Sequence, residues 1–368
     1  MKPLFDKVTI IGVGLIGGSL GMALCSRGLV SRVVGVDTER ISLELALEAE
    51  VIHEGSEDIA CAVEDADLVV IATPVGLTVD IVKQIVPFIK EGCIVTDVGS
   101  TKASIVREVS KLMPPGTYFV GGHPMTGSET VGVKGADRYL FENAVYILTP
   151  AKETDRAAVL KTKELVDSLG AKVIELDPEE HDLMVAVVSH LPHLVATALV
   201  NTAGEIEQDH KGLLMLAAGG FRDTTRVASG NPVMWKDICL TNKEGILKVL
   251  DRFARVLEKT RQIIEMSDDT GLEEQFKKAR ELRRNIPSRM RGYLPQAYEI
   301  VVTVPDRPGV IALLTGCLGE QAININDIEI LRVREGEGGT IRLAFSSEND
   351  QVKAIETLRQ NKINVKKR

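Results

Sequence analysis

Apolar runs of strand length alternate with helical spacing through the first half of the chain. Residues 7–14 (KVTIIGVG) run apolar into glycine, and a helical pattern follows through Arg27. RVVGVD at 32–37 comes next and completes a strand–helix–strand unit. The alternation continues with ADLVVIATP (66–74), a helix through Lys90, CIVTDVG (93–99), a helix to about Leu112, and YFVGGHP (118–124). AVYILTP (144–150) and AKVIEL (171–176) add strands around another helix. This order predicts an α/β domain of the Rossmann type over residues 1–176, built on a doubly wound parallel sheet.

From Asp177 the strand signals stop. Segment 178–206 is apolar nearly all round, which predicts a helix buried between partners. Pro192 lies inside it, lacks an N–H, and should free the carbonyl of Val188 and kink the helix. Ile246, Val249, Leu250, Phe253, Val256, Leu257, Ile263 and Ile264 keep helical spacing, so 242–266 reads as a second long helix. This all-helical block, 177–290, is expected to form the core of a homodimer. IPSRMRGYLPQA (286–297) is a Pro/Gly-containing linker. Beyond it, 297–368 reads strand–helix–strand–strand–helix–strand, a ferredoxin-like α+β unit.

Composition narrows the function classes. Apolar residues make up 44% and aromatics 4%, so the cores must be built from Val, Ile, Leu and Ala. A formal charge of −8 argues against a nucleic-acid partner, because phosphate binding needs a basic face. The cysteines at 25, 61, 93, 239 and 317 are scattered, with no CxxC and no metal spacing, as in a reduced cytoplasmic chain without a metal. The apolar N-terminus carries glycines that serve a nucleotide turn, so it is not read as a signal peptide. Stretch 183–200 contains Ser189, His190, Pro192 and His193, and so predicts a buried helix, not a membrane span. The arginines at 280, 283, 284, 289 and 291 read as a solvated helix end.

Gly12-Val-Gly14-Leu15-Ile16-Gly17 ends the first strand and opens the first helix. Gly12 allows the tight turn, Gly14 the approach of a pyrophosphate, and Gly17 close helix–strand packing. Asp37 ends the second strand, where a carboxylate accepts from the adenosine ribose and repels a 2′-phosphate, so NAD is favoured over NADP. Thr73 and Pro74, closing the ADLVVIATP run, join these residues as cofactor-contact candidates. Asp97-Val-Gly-Ser-Thr-Lys102 is another strand end, which places Ser100 and Lys102 at the crevice or its rim; Ser100 is equally suited to cap the following helix. In Gly121-Gly-His-Pro-Met-Thr-Gly-Ser-Glu129, a histidine flanked by glycines and proline belongs on a loop. His123 is therefore the candidate proton acceptor, and Glu129 is placed to orient its imidazole or a water. Ser189 and His193 share a helix face, while His190 points elsewhere. No carboxylate or cysteine joins them at helical spacing, which leaves no metal site. Arg222 and Arg226 precede an Asn-Pro turn and Trp235, and a guanidinium there suits a carboxylate.

Taken together, GVGLIGGS, DVGSTK, GGHPMTGSE, SHLPH and GGFRDTTR…NPVMW, in this order, resemble the prephenate and arogenate dehydrogenase family of tyrosine biosynthesis. That resemblance implies a Rossmann domain followed by a helical dimerisation domain. It also implies that His123 draws the proton from the substrate's ring hydroxyl and that Ser100 holds that hydroxyl in register with the nicotinamide. His193 and Arg226 would bind carboxylates, with Ser189 beside them. The C-terminal unit resembles an ACT domain, with its ligand loop at Asp306-Arg-Pro-Gly309 and Asn324 and Asn326 on the facing strand. Such domains often bind amino acids between paired subunits, and tyrosine is the expected effector.

The reaction this implies is NAD-dependent oxidative decarboxylation of prephenate to 4-hydroxyphenylpyruvate and CO2. An arogenate or dual-specificity enzyme is the alternative, since arogenate carries an amine where prephenate has a keto group. A reductase of imines or hydroxy acids shares the nucleotide half but leaves GGHPMTGSE unexplained. A non-catalytic NAD or amino-acid sensor leaves His123 and Arg226 without a purpose.

Overall fold

A computed structural model describes residues 3–127, 132–285, 298–305, 307–331 and 339–367. The chain divides into two compact units, Met1–Gly292 and Tyr293–Arg368. The first opens with β1 (Phe5–Ile11), α1 (Leu15–Arg27), β2 (Val30–Val36), α2 (Arg40–Glu48), β3 (Glu54–Ser56) and α3 (Ile59–Val63). It continues with β4 (Leu68–Ile71), α4 (Thr78–Ile85), β5 (Ile94–Asp97), α5 (Ala103–Val109), β6 (Tyr118–Pro124), β7 (Val145–Pro150), α6 (Arg156–Ser168) and β8 (Lys172–Glu175). The sheet order is β3-β2-β1-β4-β5-β6-β7-β8.

The expected doubly wound sheet is present, with one correction. Strands β1 to β6 run parallel, but β7 pairs antiparallel with β6, and β8 then runs parallel to β7. A parallel sheet tolerates such a reversed rim. Alternate residues of the strands feed separate cores: Val8 and Ile10 point into one, Ile11 and Val34 into the other. Both faces are therefore covered, which explains why these strands read as continuous apolar runs. The chain winds outward from β1 to β3, then restarts at β4 on β1's other side. Ligands bind at such a switch point, outside the carboxyl ends of the strands.

The helical block begins with α7 (Pro178–Val185), whose N-cap Asp177 accepts from the N–H groups of Glu179 and Glu180. The predicted single helix over 178–206 is interrupted by a π-turn at Ala186–His190, before α8 (Leu191–Asp209). There the Leu191 N–H donates to the Ala186 carbonyl, one residue wider than an α-turn, immediately before Pro192. The irregularity expected at the proline is thus a widened turn, a feature frequent at functional sites. Pro178–Asp209 is the one stretch among the described residues long and apolar enough to cross a membrane, with mean hydropathy 1.9. Its break and its three buried histidines fit packing against protein. The burial expected of this helix is incomplete within one chain: Val187, Val188, Leu199 and Val200 are exposed. Helices α9 (Gly219–Thr225), α10 (Pro232–Thr241), α11 (Lys243–Glu265) and α12 (Asp269–Asn285) complete the block. The Asn-Pro pair starts a helix instead of making a free turn: Asn231 caps α10 by accepting from Val233 N and Met234 N.

The second unit contains β9 (Tyr298–Val304), α13 (Val310–Gly319), β10 (Asp327–Leu331), β11 (Gly339–Phe345), α14 (Glu348–Gln360) and β12 (Asn364–Lys367). Its antiparallel sheet has the order β10-β11-β9-β12, the predicted ferredoxin-like arrangement. Ile300, Val302, Leu314, Leu343 and Leu358 form its own core. One expectation is corrected here. Asn324 and Asn326 do not alternate along a strand, because β10 begins only at Asp327. They lie in the preceding connection, where Asn324 Nδ2 donates to Asn326 Oδ1 at 3.2 Å. Gly309 does hold a left-handed φ of 87° at the start of α13, with open space where a Cβ would stand.

Candidate active site

Four strand ends bring the nucleotide and catalytic motifs onto one edge of the sheet: Gly12 after β1, Thr73 after β4, Ser100 after β5 and His123 within the end of β6. The three glycines meet different surroundings. A Cβ on Gly12 would sit 2.7 Å from the Ala72 carbonyl oxygen, and one on Gly17 would sit 2.0 Å from the Gly12 carbonyl oxygen. Only Gly14 faces open space, at the point where α1 presents its first N–H groups. Leu15 and Ile16 form the first turn of α1 and are half-buried. Asp37 is pinned beside the turn, accepting from Val13 N at 3.1 Å and Glu39 N at 3.0 Å. Thr73 Oγ1 is buried without a hydrogen-bond partner among the described residues, and Pro74 beside it is exposed. A cradle that is open only at Gly14, a pinned carboxylate and an unused hydroxyl fit a dinucleotide.

The His123 end of the crevice is built on buried polar groups. His123 Nδ1 lies 2.8 Å from His181 Nε2, and His181 Nδ1 donates to Asp182 Oδ1 at 2.8 Å. The Asp182 carboxylate also accepts from Lys102 N at 2.7 Å and Ala103 N at 2.9 Å. It therefore caps α5 from another helix, and Ser100 does not serve as that cap. Burial, then the neighbouring His181, Lys102 and His190, hold His123 well below the usual histidine value of 6.5. It is thus the free base at neutral pH.

Lys102 is not at a rim, as one reading had it. Its ammonium is fully buried and pairs with Asp97. Burial lowers the lysine against the opposing pull of Asp97. Asp97 also accepts from Gly99 N at 3.0 Å and Gly122 N at 3.1 Å, which fastens the loop after β5 to the strand carrying His123. Breaking a buried pair of this kind leaves an uncompensated charge and is strongly destabilising.

The helical block supplies the opposite wall. The His193 and Trp235 rings stack with centroids 3.6 Å apart and planes within 8°. His193 is buried, its Nδ1 has no hydrogen-bond partner among the described residues, and burial lowers its pKa while the Val227 backbone opposes the shift. Val227 follows Arg226, which is exposed at the end of α9. Ser189, half-buried in the π-turn, lies one helical turn before His193. His190 is buried, meets Trp235 edge-on with ring centroids 6.1 Å apart, lies near Asn242 Nδ2 at 3.2 Å, and is pushed down to about 4 by burial, so it does not point wholly elsewhere. Glu129 falls outside the described residues. Among the described residues no group of His, Cys, Asp and Glu is arranged to hold a metal.

Sequence reasoning passed over His181, Asp182 and Asp97 as functional residues. His181 and Asp182 sit in the first turns of α7, in the run Pro-Glu-Glu-His-Asp, which looks like a solvated helix start. Packing of α7 against α5, α11 and β7 buries them.

The fold and this edge define a two-domain nucleotide-dependent oxidoreductase with a separate α+β unit. Family comparisons match the prephenate dehydrogenase nucleotide-binding domain at residues 20–175, the prephenate dehydrogenase dimerization domain at 177–278 and an ACT domain at 298–362. The chain is 39% identical to prephenate dehydrogenase of Bacillus subtilis, covering 97% of each chain. It is 34% identical to the prephenate dehydrogenase of Lactococcus lactis subsp. cremoris, over 96% of this chain and 97% of that one. A crystal structure of prephenate dehydrogenase from A. aeolicus, in complex with hydroxyphenyl propionate and NAD+, matches with a TM-score of 0.72 and 34% identity. It covers 76% of this chain and 98% of the other. The chain belongs to the prephenate dehydrogenase family.

Proposed function

We propose that this chain oxidises prephenate with NAD, releasing 4-hydroxyphenylpyruvate and CO2. The observation that carries the reading is His123, kept unprotonated at a strand end and grouped with Ser100 on the edge that holds the dinucleotide turn. Bound NAD supplies a hydride acceptor for substrate C4. His123 takes the proton of the C4 hydroxyl as the carbonyl develops. Ser100 holds that oxygen in place. The electron pair of the bond to the departing ring carboxylate enters the ring, which becomes aromatic as CO2 leaves. His193, Ser189 and Arg226 hold the substrate carboxylates, the unpartnered His193 Nδ1 being available for one of them. Glu129, outside the described residues, is proposed to contact the substrate or to orient the His123 imidazole or a water. On the cofactor side, Gly12, Gly14, Leu15, Ile16 and Gly17 receive the pyrophosphate, Asp37 the adenosine ribose, and Thr73 with Pro74 the central part of NAD.

Arogenate is the second reading. It is favoured by the relation to cyclohexadienyl dehydrogenase of Zymomonas mobilis, 32% identical over 76% of this chain and 96% of that one. NADH formation measured on both substrates decides: a kcat/KM for arogenate equal to or above that for prephenate overturns the first reading.

The exposed apolar faces of α8 and the helical block fit a homodimer. The ACT domain, with Gly309 opening its first helix and Asn324 and Asn326 preceding β10, fits an amino-acid effector, proposed as tyrosine. These readings place domain boundaries near residues 176 and 290.

A further inference from the structure

We propose that His181 and Asp182 are positioning residues that fix which nitrogen of His123 carries its proton, a role that rests on His123 being the base. The argument runs from the carboxylate outward. Both Asp182 oxygens accept backbone N–H groups, from Lys102 and Ala103. A carboxylate is an acceptor only, and both oxygens of this one are already used as acceptors. His181 must then present N–H at Nδ1, because Asp182 Oδ1 has no proton to give across their 2.8 Å contact. In the proposed chain His181 accepts at Nε2, which faces His123 Nδ1 at 2.8 Å. His123 is left with N–H at Nδ1 and a lone pair at Nε2. That is the tautomer a base needs if Nε2 is to take the substrate proton.

The same chain answers the charge that forms. When His123 Nε2 gains the proton, the imidazolium keeps its Nδ1–H on His181, whose far side ends on the Asp182 anion. His181 itself, Lys102 in its pair with Asp97, and His190 all act against protonation of His123. Asp182 is thus the anion that supports the transient cation. Its tie to α5 is also fixed from behind, since the Asp182 carbonyl accepts from Asn242 Nδ2 at 2.7 Å.

Two measurements on the full-length enzyme test this. In the first, 15N spectra of the histidine-labelled wild type, with its six histidines, report the protonated nitrogen of each ring near neutral pH. Neutral Nδ1–H tautomers at both His123 and His181 support the proposal; Nε2–H at His123 overturns it, whatever the activity. In the second, Asp182→Asn offers an amide that can donate to His181 Nδ1 and so drives the opposite tautomer through both rings. The expected result is a loss of about 10²–10⁴ in kcat, with KM for both substrates within about twofold, the scale on which uniform binding is judged unchanged. The acid limb of the kcat/KM profile also moves to lower pH as the anion is lost. A kcat within about twofold of wild type, or a loss confined to KM, overturns the role. If the variant does not fold, the wild-type spectra decide alone. Full activity in His123→Asn instead removes the base assignment itself, a different outcome from an essential His123 with a dispensable Asp182.

Discussion

Trp235 lies flat against His193, and this stack holds the histidine proposed to bind substrate in a single orientation. Space for the indole depends on Gly230, where an added Cβ would come within 2.5 Å of Trp235 Nε1. An aromatic pair of this kind contributes about 0.5–1.5 kcal/mol. Trp235→Leu should therefore raise KM for prephenate roughly two- to twelvefold, by the usual conversion of free energy to affinity, with kcat little changed. It also uncovers the imidazole, so the His193 pKa should rise toward 6.5 in an NMR titration. A variant with wild-type KM contradicts the wall assignment.

His123→Asn should lower kcat by about 10²–10⁴ with little effect on KM, since it removes a base that acts only in the transition state. In the wild type the His123 pKa is depressed, so the base form persists as pH falls through 6.5 and is lost only further down. The acid limb of kcat/KM due to His123 should lie below pH 6.5. Stability follows the same direction. His123 and His190 resist protonation in the folded state, while an unfolded chain takes up protons below about pH 6.5. The contribution of these neutral histidines is present above the unfolded value and declines as pH falls from there toward about 4, the folded value of His190. Urea midpoints measured across that window check the sign.

Asp37→Ser should weaken NAD and relax the rejection of NADP, because it removes both a ribose acceptor and a negative charge. The side chain also holds Val13 N and Glu39 N, so part of the loss in NAD affinity will come from a loosened turn. The ratio of kcat/KM for NADP to that for NAD separates the two effects. A ratio equal to that of the wild type rejects the selectivity role.

Gly14 and Gly17 should respond differently to alanine. At Gly14 the new methyl meets nothing in the protein, so the fold and its Tm should stay unchanged while NAD binding is lost to the intruding Cβ. At Gly17 it would collide with the Gly12 backbone at 2.0 Å, so the domain itself should be destabilised. Thermal melts paired with NAD titrations distinguish these cases. Tight NAD binding by Gly14→Ala would place the pyrophosphate elsewhere.

The sequence displays the buried strands because a sheet covered on both faces writes itself as unbroken Val and Ile. It does not display β3, only Glu54–Ser56, whose three residues contain no apolar run. The reversal at β7 is equally hidden, since parallel and antiparallel neighbours share the same apolar pattern. At the site, glycine geometry is legible because local turn chemistry dictates it, whereas the loop expected at His123 is strand, with His123 in β6 opposite Ile147. The support beneath His123 is not legible either. His181, Asp182 and Lys102 are polar residues whose burial arises when α7 meets α5, α11 and β7, with contacts between residues up to about 80 positions apart. Asn324 and Asn326 were misplaced because a polar connection and an edge strand alternate alike.

The ACT domain offers the most informative deletion. It has its own core and sheet, so removing residues 286–368 should leave the catalytic unit folded. A Gly309 with free space above it, opening α13, leaves backbone N–H groups accessible to a carboxylate. The exposed pair Asn324 and Asn326 supplies polar side chains nearby in sequence to β10. Inhibition by tyrosine from this domain requires that tyrosine bind the less active arrangement of the dimer more tightly, because equal affinity for both arrangements shifts nothing. Competition at the active site is the rival account, since tyrosine resembles the product and carries a carboxylate for Arg226. The truncated enzyme should keep most of its kcat and lose sensitivity to tyrosine. Replacing Gly309 with Val in the full chain should do the same, since a branched side chain is strained at a φ of 87° and fills the open space. If the truncated enzyme is inhibited as strongly as the full chain, and competitively with prephenate, tyrosine acts at the active site and the ACT domain is not its sensor.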